Sequence, residues 1–361
     1  MPTYVTLPPP TPRPAARPGQ VRVAVCLTGR PKALVHHPLQ DHWLAVMEPL
    51  RFSAGSVGGV HSDLFMHLDA SQHPARILVR LAQRLGARTL ALYNDSQTSA
   101  DFGPPPPAWP GGCPSPKKMG PCVFLGRAQF RKGASCASDL EAEERAAAAP
   151  YDFVLRVRPD LEYAARLPPP WQWRCLRKDL ALTMLAQRAT SACYPGGVSS
   201  RLARGELVPA TLRQLFLDDN FALLPRRAAG AYLRAGEAME RGGCIPSRAA
   251  SGLCASRWQW PECRVHTALA SVSPELLIGE LPSTRHFAFL DCEGPDPNGP
   301  PCARPFRRSC CNRDPRERRG LRPFLSTAQL NHSSFGDEAL SEPCSRNGAR
   351  TARGRGQAHA A

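Results

Sequence analysis

Tyr151-Asp-Phe-Val-Leu-Arg-Val-Arg-Pro-Asp160-Leu161 is the stretch that decides how this chain is read. Phe153, Val154, Leu155 and Val157 supply the near-continuous apolar run of a strand buried on both faces. Pro159 stops the ladder, because proline has no N–H to donate. Arg156, Arg158 and Asp160 therefore collect at or just beyond the strand's carboxyl end. In open α/β sheets that edge is where ligands bind. Two guanidiniums suit phosphate or carboxylate, and a carboxylate beside them suits a divalent cation or a sugar hydroxyl. The segment reads as a site for a metal–diphosphate group. Its alternative is an Arg–Asp salt bridge internal to the loop.

Working back toward the N-terminus, Val21 to Leu27 is a strand closed by the turn Thr28-Gly-Arg30-Pro31. A helix is expected over Gln40 to Leu50, and Asp63 to Leu68 is a second strand ending in Asp69. Ile77, Leu78, Leu81 and Leu85 mark one face of a helix over Pro74 to Leu85, with Gly86 as its C′ residue. Arg88 to Tyr93 alternates as a third strand. A strand–helix–strand–helix–strand series implies parallel pairing and right-handed crossovers. Residues 94–121 interrupt it with a Pro/Gly-rich insertion. The capping-box spacing Ser138-Asp-Leu-Glu141 then opens a helix running to Pro150. Arg30, Asp69, Asn94 and Asp160 are thus expected at one ligand edge.

The second half is less regular. Leu180 to Leu185 and Phe221 to Leu224 read as strands, Ala228 to Glu240 as a helix, and Pro261 as the N1 residue of another. Leu276 to Ile278 and Phe287 to Leu290 look like a terminal pair of strands. Residues 1–20 form a proline-rich leader and 291–361 a polar, basic tail, both expected to be disordered around a domain over 21–290.

Composition narrows the class. The chain has 361 residues and 42% hydrophobic content, enough for a real core. No run of about 18 apolar residues occurs, so no membrane-spanning segment is expected. The leader lacks the apolar region of a secretory signal. The net charge of +16 admits nucleic acid, anionic membranes or phosphorylated ligands. Nucleic acid is set aside, because aromatic content is only 7% and no zinc-finger or RNA-binding signature is present. Fourteen cysteines without a CxxC pair point to loop-closing disulfides and a lumenal compartment. The sequons Asn94-Asp-Ser96 and Asn331-His-Ser333 agree with that location, and a cytoplasmic one is the alternative.

Val25-Cys-Leu-Thr-Gly-Arg30, the Arg156-Val-Arg-Pro-Asp160 segment, Leu217-Asp-Asp-Asn-Phe-Ala222 and Trp260-Pro-Glu262 together resemble nucleotide-sugar transferase-like proteins of the GT-A type. They resemble the poorly characterised members that carry Arg-x-Arg-Pro-Asp where others have Asp-x-Asp. The resemblance covers about residues 21–290. It implies an α/β, GT-A-like (Rossmann-like), mostly parallel sheet with helices on both faces and disordered termini. It also implies a nucleotide-sugar donor, a glycan or glycoprotein acceptor, a divalent cation (Mn²⁺ or Mg²⁺), and residence in the Golgi lumen. Arg156 stands where the first carboxylate would be, which puts the metal in question.

The chemistry of glycosyl transfer asks for the same residue types. The departing diphosphate needs a counter-charge, from a cation or from arginines. Arg30, Arg156, Arg158 and Asp160 are the donor-binding candidates, with Asp160 also the metal candidate. The acceptor hydroxyl needs a carboxylate as base or positioning group. Asp219 is the first candidate, with Asp218 and Glu262 behind it. Adjacent aspartates in an extended segment point to opposite sides, so Asp218 and Asp219 do not share a pocket. Helix or turn capping is the alternative for that pair, and N-terminal helix stabilisation is the alternative for Glu262. Two other classes remain open: a non-catalytic carbohydrate-binding or scaffold protein on the same fold, and a sulfotransferase-like enzyme.

Overall fold

The computed structural model describes residues 2–7, 19–31, 34–50, 59–95, 122–163, 165–183, 206–211, 221–237, 261–281, 288–289, 330–332 and 334–341. Its first half runs β1 (Thr3–Val5), β2 (Val21–Gly29), α1 (His37–Val46), β3 (Val60–Asp69), α2 (Ala75–Leu85), β4 (Thr89–Tyr93), α3 (Cys122–Ala147) and β5 (Phe153–Val157). Then follow β6 (Leu161–Glu162), β7 (Ala165–Arg166), α4 (Pro170–Trp173), β8 (Leu180–Thr183), β9 (Val208–Pro209), β10 (Ala222–Pro225), α5 (Arg226–Leu233), α6 (Pro261–Val272), β11 (Leu277–Glu280), β12 (Ala288–Phe289) and β13 (Asn331–His332).

Nine strands form one sheet in the order β1-β4-β3-β2-β5-β10-β8-β11-β9. Its pairings make β2, β3, β4, β5, β8 and β11 run one way, while β1, β9 and β10 oppose them. The fold is α/β, mostly parallel, with helices on both faces, as the sequence resemblance implies. β3 and β4 lie on one side of β2 and β5 lies on the other, so the strand order reverses between β2 and β5. In open α/β sheets ligands bind at the carboxyl ends of the strands flanking such a reversal.

Side chains alternate across the sheet between two cores. Val23, Val25, Leu27, Leu64, Met66, Phe153, Leu155 and Val157 pack with Trp43 of α1 and with Leu78 and Leu81 of α2. Ala24, Cys26, Phe65 and Val154 face the other way, against Phe130, Cys136 and Leu140 of α3 and Tyr232 and Leu233 of α5. Each large apolar side chain buried this way contributes about 1.5–3 kcal/mol. A disulfide between Cys26 and Cys136 crosses the second core, with both residues fully buried and their Cα atoms 6.0 Å apart. Cys175 and Cys263 are disulfide-bonded as well. Many arginines are consumed internally. At the amino edge of the sheet, Arg226 Nε and Nη2 hold Glu144 at 2.7 Å each, and Arg22 lies 4.6 Å over the Tyr151 ring.

Four expectations change. α3 begins sixteen residues before Ser138, whose hydroxyl donates to the Ala134 carbonyl from inside the helix and caps nothing. β11 and β12 do not pair with each other: β11 joins the main sheet and β12 pairs with β6. Residues 3–5, in the stretch read as a disordered leader, add a strand to β4. Part of the stretch read as a disordered tail packs on the core. Phe335 is buried 5.5 Å from Trp173, Leu340 bridges Leu176, and β13 pairs with β7.

Candidate functional site

The carboxyl ends of β2, β3, β4 and β5 bring together side chains from four separate sequence segments. Gly29 closes β2 at φ 144, and an added Cβ would meet Pro159 Cδ at 3.1 Å. Only glycine combines that backbone with so close an approach, so β2 ends directly against the proline after β5. Arg30 follows with 42% of its side chain exposed, its Nε 3.4 Å from Asp69 Oδ2. Asp69 ends β3 almost wholly buried and joins three elements. Its Oδ1 accepts from the Ser71 N–H at 3.0 Å and the Asp95 N–H at 3.1 Å, and its Oδ2 accepts from the Ser71 hydroxyl at 2.9 Å.

Beyond β4, Asp95 takes an ion pair from Lys132 of α3, with Nζ 2.5 Å from Oδ1. Lys132 is itself buried, lies 5.1 Å over the Tyr93 ring, and has its pKa lowered by burial against the opposing pull of Asp95. One layer deeper, His67 Nδ1 meets the Tyr93 hydroxyl at 3.1 Å. His67 Nε2 lies 3.2 Å from Asp139 Oδ2, but the two atoms are not aligned as a hydrogen bond. Complete burial outweighs Asp139 and pushes the His67 pKa down, so the ring is neutral. Tyr4 of β1 donates to the other Asp139 oxygen at 3.1 Å, and burial with that carboxylate raises its phenol to about 12.

At the end of β5, Arg158 folds back on Asp160. Nε reaches Oδ1 at 2.8 Å and Nη2 reaches Oδ2 at 2.5 Å, while Nη1 donates to Gln129 at 3.1 Å. The internal Arg–Asp pair considered from sequence is therefore present, and it shares the edge with the other charged groups. Arg156 behaves differently. It is 3% exposed and sits across from Cys26 in the ladder, on the α3 face of the sheet. Its Nη1 is buried without a hydrogen-bond partner. Thr28, two residues beyond Cys26 and on the same face, is fully buried with its hydroxyl also unpartnered. Leaving one buried guanidinium N–H without an acceptor costs about 1–3 kcal/mol.

The donor-side candidates Arg30, Arg156, Arg158 and Asp160 thus converge on one edge. Asp218 and Asp219 lie outside the described residues, as does the side chain of Glu262, whose backbone enters the first turn of α6. His266, one turn after Glu262, is a core residue: it is buried, with Nε2 2.7 Å from the Ala210 carbonyl.

Sequence reasoning missed the contribution of α3. Gln129, Lys132, Cys136 and Asp139 recur at helical spacing and face the sheet. Their signal was a 3–4–3 spacing of polar residues, which reads as a solvated face unless the sheet opposite is known to be polar too.

No family model matches the sequence, and no curated protein matches it at a significant level. Among solved structures, the apo form of mouse xyloside xylosyltransferase 1 is similar to this chain, with a TM-score of 0.33 and 12% identity, covering 73% of this chain and 84% of that one. A likeness that weak transfers no function.

Proposed function

We propose that this chain is a glycosyltransferase-type domain that takes a nucleotide-sugar donor at the carboxyl edge of β2–β5 and passes the sugar to a glycan or protein acceptor. Arg156 carries this reading. Three of the four edge cations have carboxylate partners: Arg30 with Asp69, Lys132 with Asp95, and Arg158 with Asp160. Among the described residues Arg156 has none, and it is the most buried guanidinium of this group. An anion belongs there, at the strand-order reversal where open α/β sheets bind phosphorylated ligands. Arg30 is exposed enough to fold over the same anion. On the acceptor side, Asp219 serves the incoming hydroxyl, with Asp218 or Glu262 as its support. The buried Cys26–Cys136 disulfide fits maturation in an oxidising lumen.

A second reading, a carbohydrate-binding or scaffold protein without catalysis, has one observation in its favour. Both oxygens of Asp160 are taken up by Arg158, so the carboxylate that the resemblance offers to a metal is already engaged.

A thermal-shift screen of nucleotide sugars, followed by a nucleotide-release assay with candidate acceptors, separates the two. Arg158→Lys should weaken donor binding, because a lysine cannot reproduce the bidentate fork on Asp160 and the bond to Gln129 that fix this charge at the edge. Asp160→Asn should weaken it too, by freeing the Arg158 fork from its register. Asp219→Asn should bind donor normally and turn over slowly. If folded Arg158→Lys and Asp160→Asn proteins bind every active nucleotide sugar like the parent, the site assignment is wrong. Saccharide binding without any donor-induced shift would establish the non-catalytic reading.

A further inference from the structure

The GT-A-type resemblance implies a divalent cation bridging carboxylates and diphosphate, and the described residues at this edge do not fit one. A small hard cation at such a site is held by one or two carboxylates with oxygens to spare, together with waters and the phosphates themselves. Here Asp160 gives both oxygens to the Arg158 fork. Asp69 accepts from Ser71 twice and from the Asp95 amide, and it faces Arg30 with the oxygen that takes the Ser71 hydroxyl. Asp95 neutralises Lys132. Among the described residues, no three His, Cys, Asp or Glu side chains are grouped so as to hold an ion. Two donors on one face of the sheet are buried and unsatisfied instead, Arg156 Nη1 and the Thr28 hydroxyl. A dication placed against these donors would be repelled by Arg156, whereas a phosphate oxygen would satisfy them.

We infer that this edge binds a diphosphate directly through Arg156, Thr28 and Arg30, independently of any divalent metal. The inference rests on the proposed donor site and deepens it. Arg156 supplies the buried charge, Thr28 an O–H donor on the same face, and Arg30 a partly exposed guanidinium from the rim. Arg158 stays locked to Asp160 and Gln129, as a fixed wall of positive potential.

The test uses the full chain, with inorganic pyrophosphate and uridine diphosphate as probes, titrated calorimetrically in EDTA and again in excess Mn²⁺. Affinities in the two conditions should agree within about threefold, a difference well below 1 kcal/mol. Arg156→Met should weaken both by at least about tenfold, one charge-assisted hydrogen bond's worth. Arg30→Met, at a half-exposed position that does not threaten folding, should give a smaller loss in both. Binding that disappears in EDTA, or strengthens more than about tenfold with Mn²⁺, overturns metal independence and leaves the donor-site reading intact. No binding of either probe in either condition overturns the diphosphate site itself, and this inference with it.

Discussion

Replacing Arg156 by Met separates a binding role from a structural one, because the two predict opposite signs of stability change. The side chain is 3% exposed and its Nη1 has no acceptor. Methionine keeps most of the volume and removes the ion, so the desolvation cost of an uncompensated guanidinium disappears. Exchanging buried ionic groups for apolar ones of similar size is often stabilising, by about 1–4 kcal/mol. Here a gain of about 1–3 kcal/mol is expected, seen as a rise in Tm of roughly 2–4 °C per kcal/mol for a domain of this size. Ligand affinity moves the other way. Losing a charge-assisted hydrogen bond costs about 1.5–3 kcal/mol, or roughly 10- to 150-fold in Kd. At a pyrophosphate concentration 100 times the parent's Kd, the ligand stabilises the parent by about 2.7 kcal/mol. A variant weakened about 100-fold would then gain only about 0.4 kcal/mol from the same solution. Urea denaturation with and without pyrophosphate reads both quantities. A Met variant that is less stable than the parent, yet gains as much from ligand, would refute the argument: Arg156 would then be a framework residue.

Three further outcomes are expected. Removing the Cys26–Cys136 disulfide with a double alanine substitution opens a closure with a sequence separation of 110. It should cost about 4–5 kcal/mol by the chain-entropy relation, and urea midpoints of the reduced parent should fall comparably. His67 and His266 are buried with pKa values pushed below the ordinary histidine value, chiefly by burial. The folded state therefore binds fewer protons than the unfolded one below about pH 6.5, so stability holds above that pH and falls beneath it. Each histidine adds a slope of at most about 1.4 kcal/mol per pH unit, and His67→Gln should flatten the profile measured between pH 7 and pH 5. Phe335→Ala removes the ring packed against Trp173 and should cost about 3–5 kcal/mol, with proteolysis then starting in the C-terminal segment. Unchanged resistance would mean that this segment is not held by the core.

The parallel half of the sheet was readable because its strands are buried on both faces and its turns carry Gly and Pro. Val21–Gly29, Val60–Asp69, Thr89–Tyr93 and Phe153–Val157 all sit close to where their apolar runs place them. Gly86 caps α2 in the left-handed conformation that its position after Leu85 suggests. The two terminal additions were hidden for a different reason. β1 is three residues long, and the C-terminal segment docks through scattered side chains, Leu330, Phe335 and Leu340, too few to form a period. Their order comes from an existing surface, a sheet edge for one and α4 for the other, and local sequence does not reveal which surface is waiting.

The site was legible only on its strand side. Arg30, Arg156, Arg158 and Asp160 announce themselves because charged residues at the end of an apolar strand have no core to enter. What decides their roles is pairing, and pairing is a property of neighbours distant in sequence. Arg158 looked like the freer ligand group and is in fact held by Asp160 and Gln129. Arg156, inside the ladder, is the one whose Nη1 is left without an acceptor. The difference arises from strand alternation and from α3. Arg156 faces the α3 side, where the nearest ladder neighbour is Cys26, already bonded to Cys136.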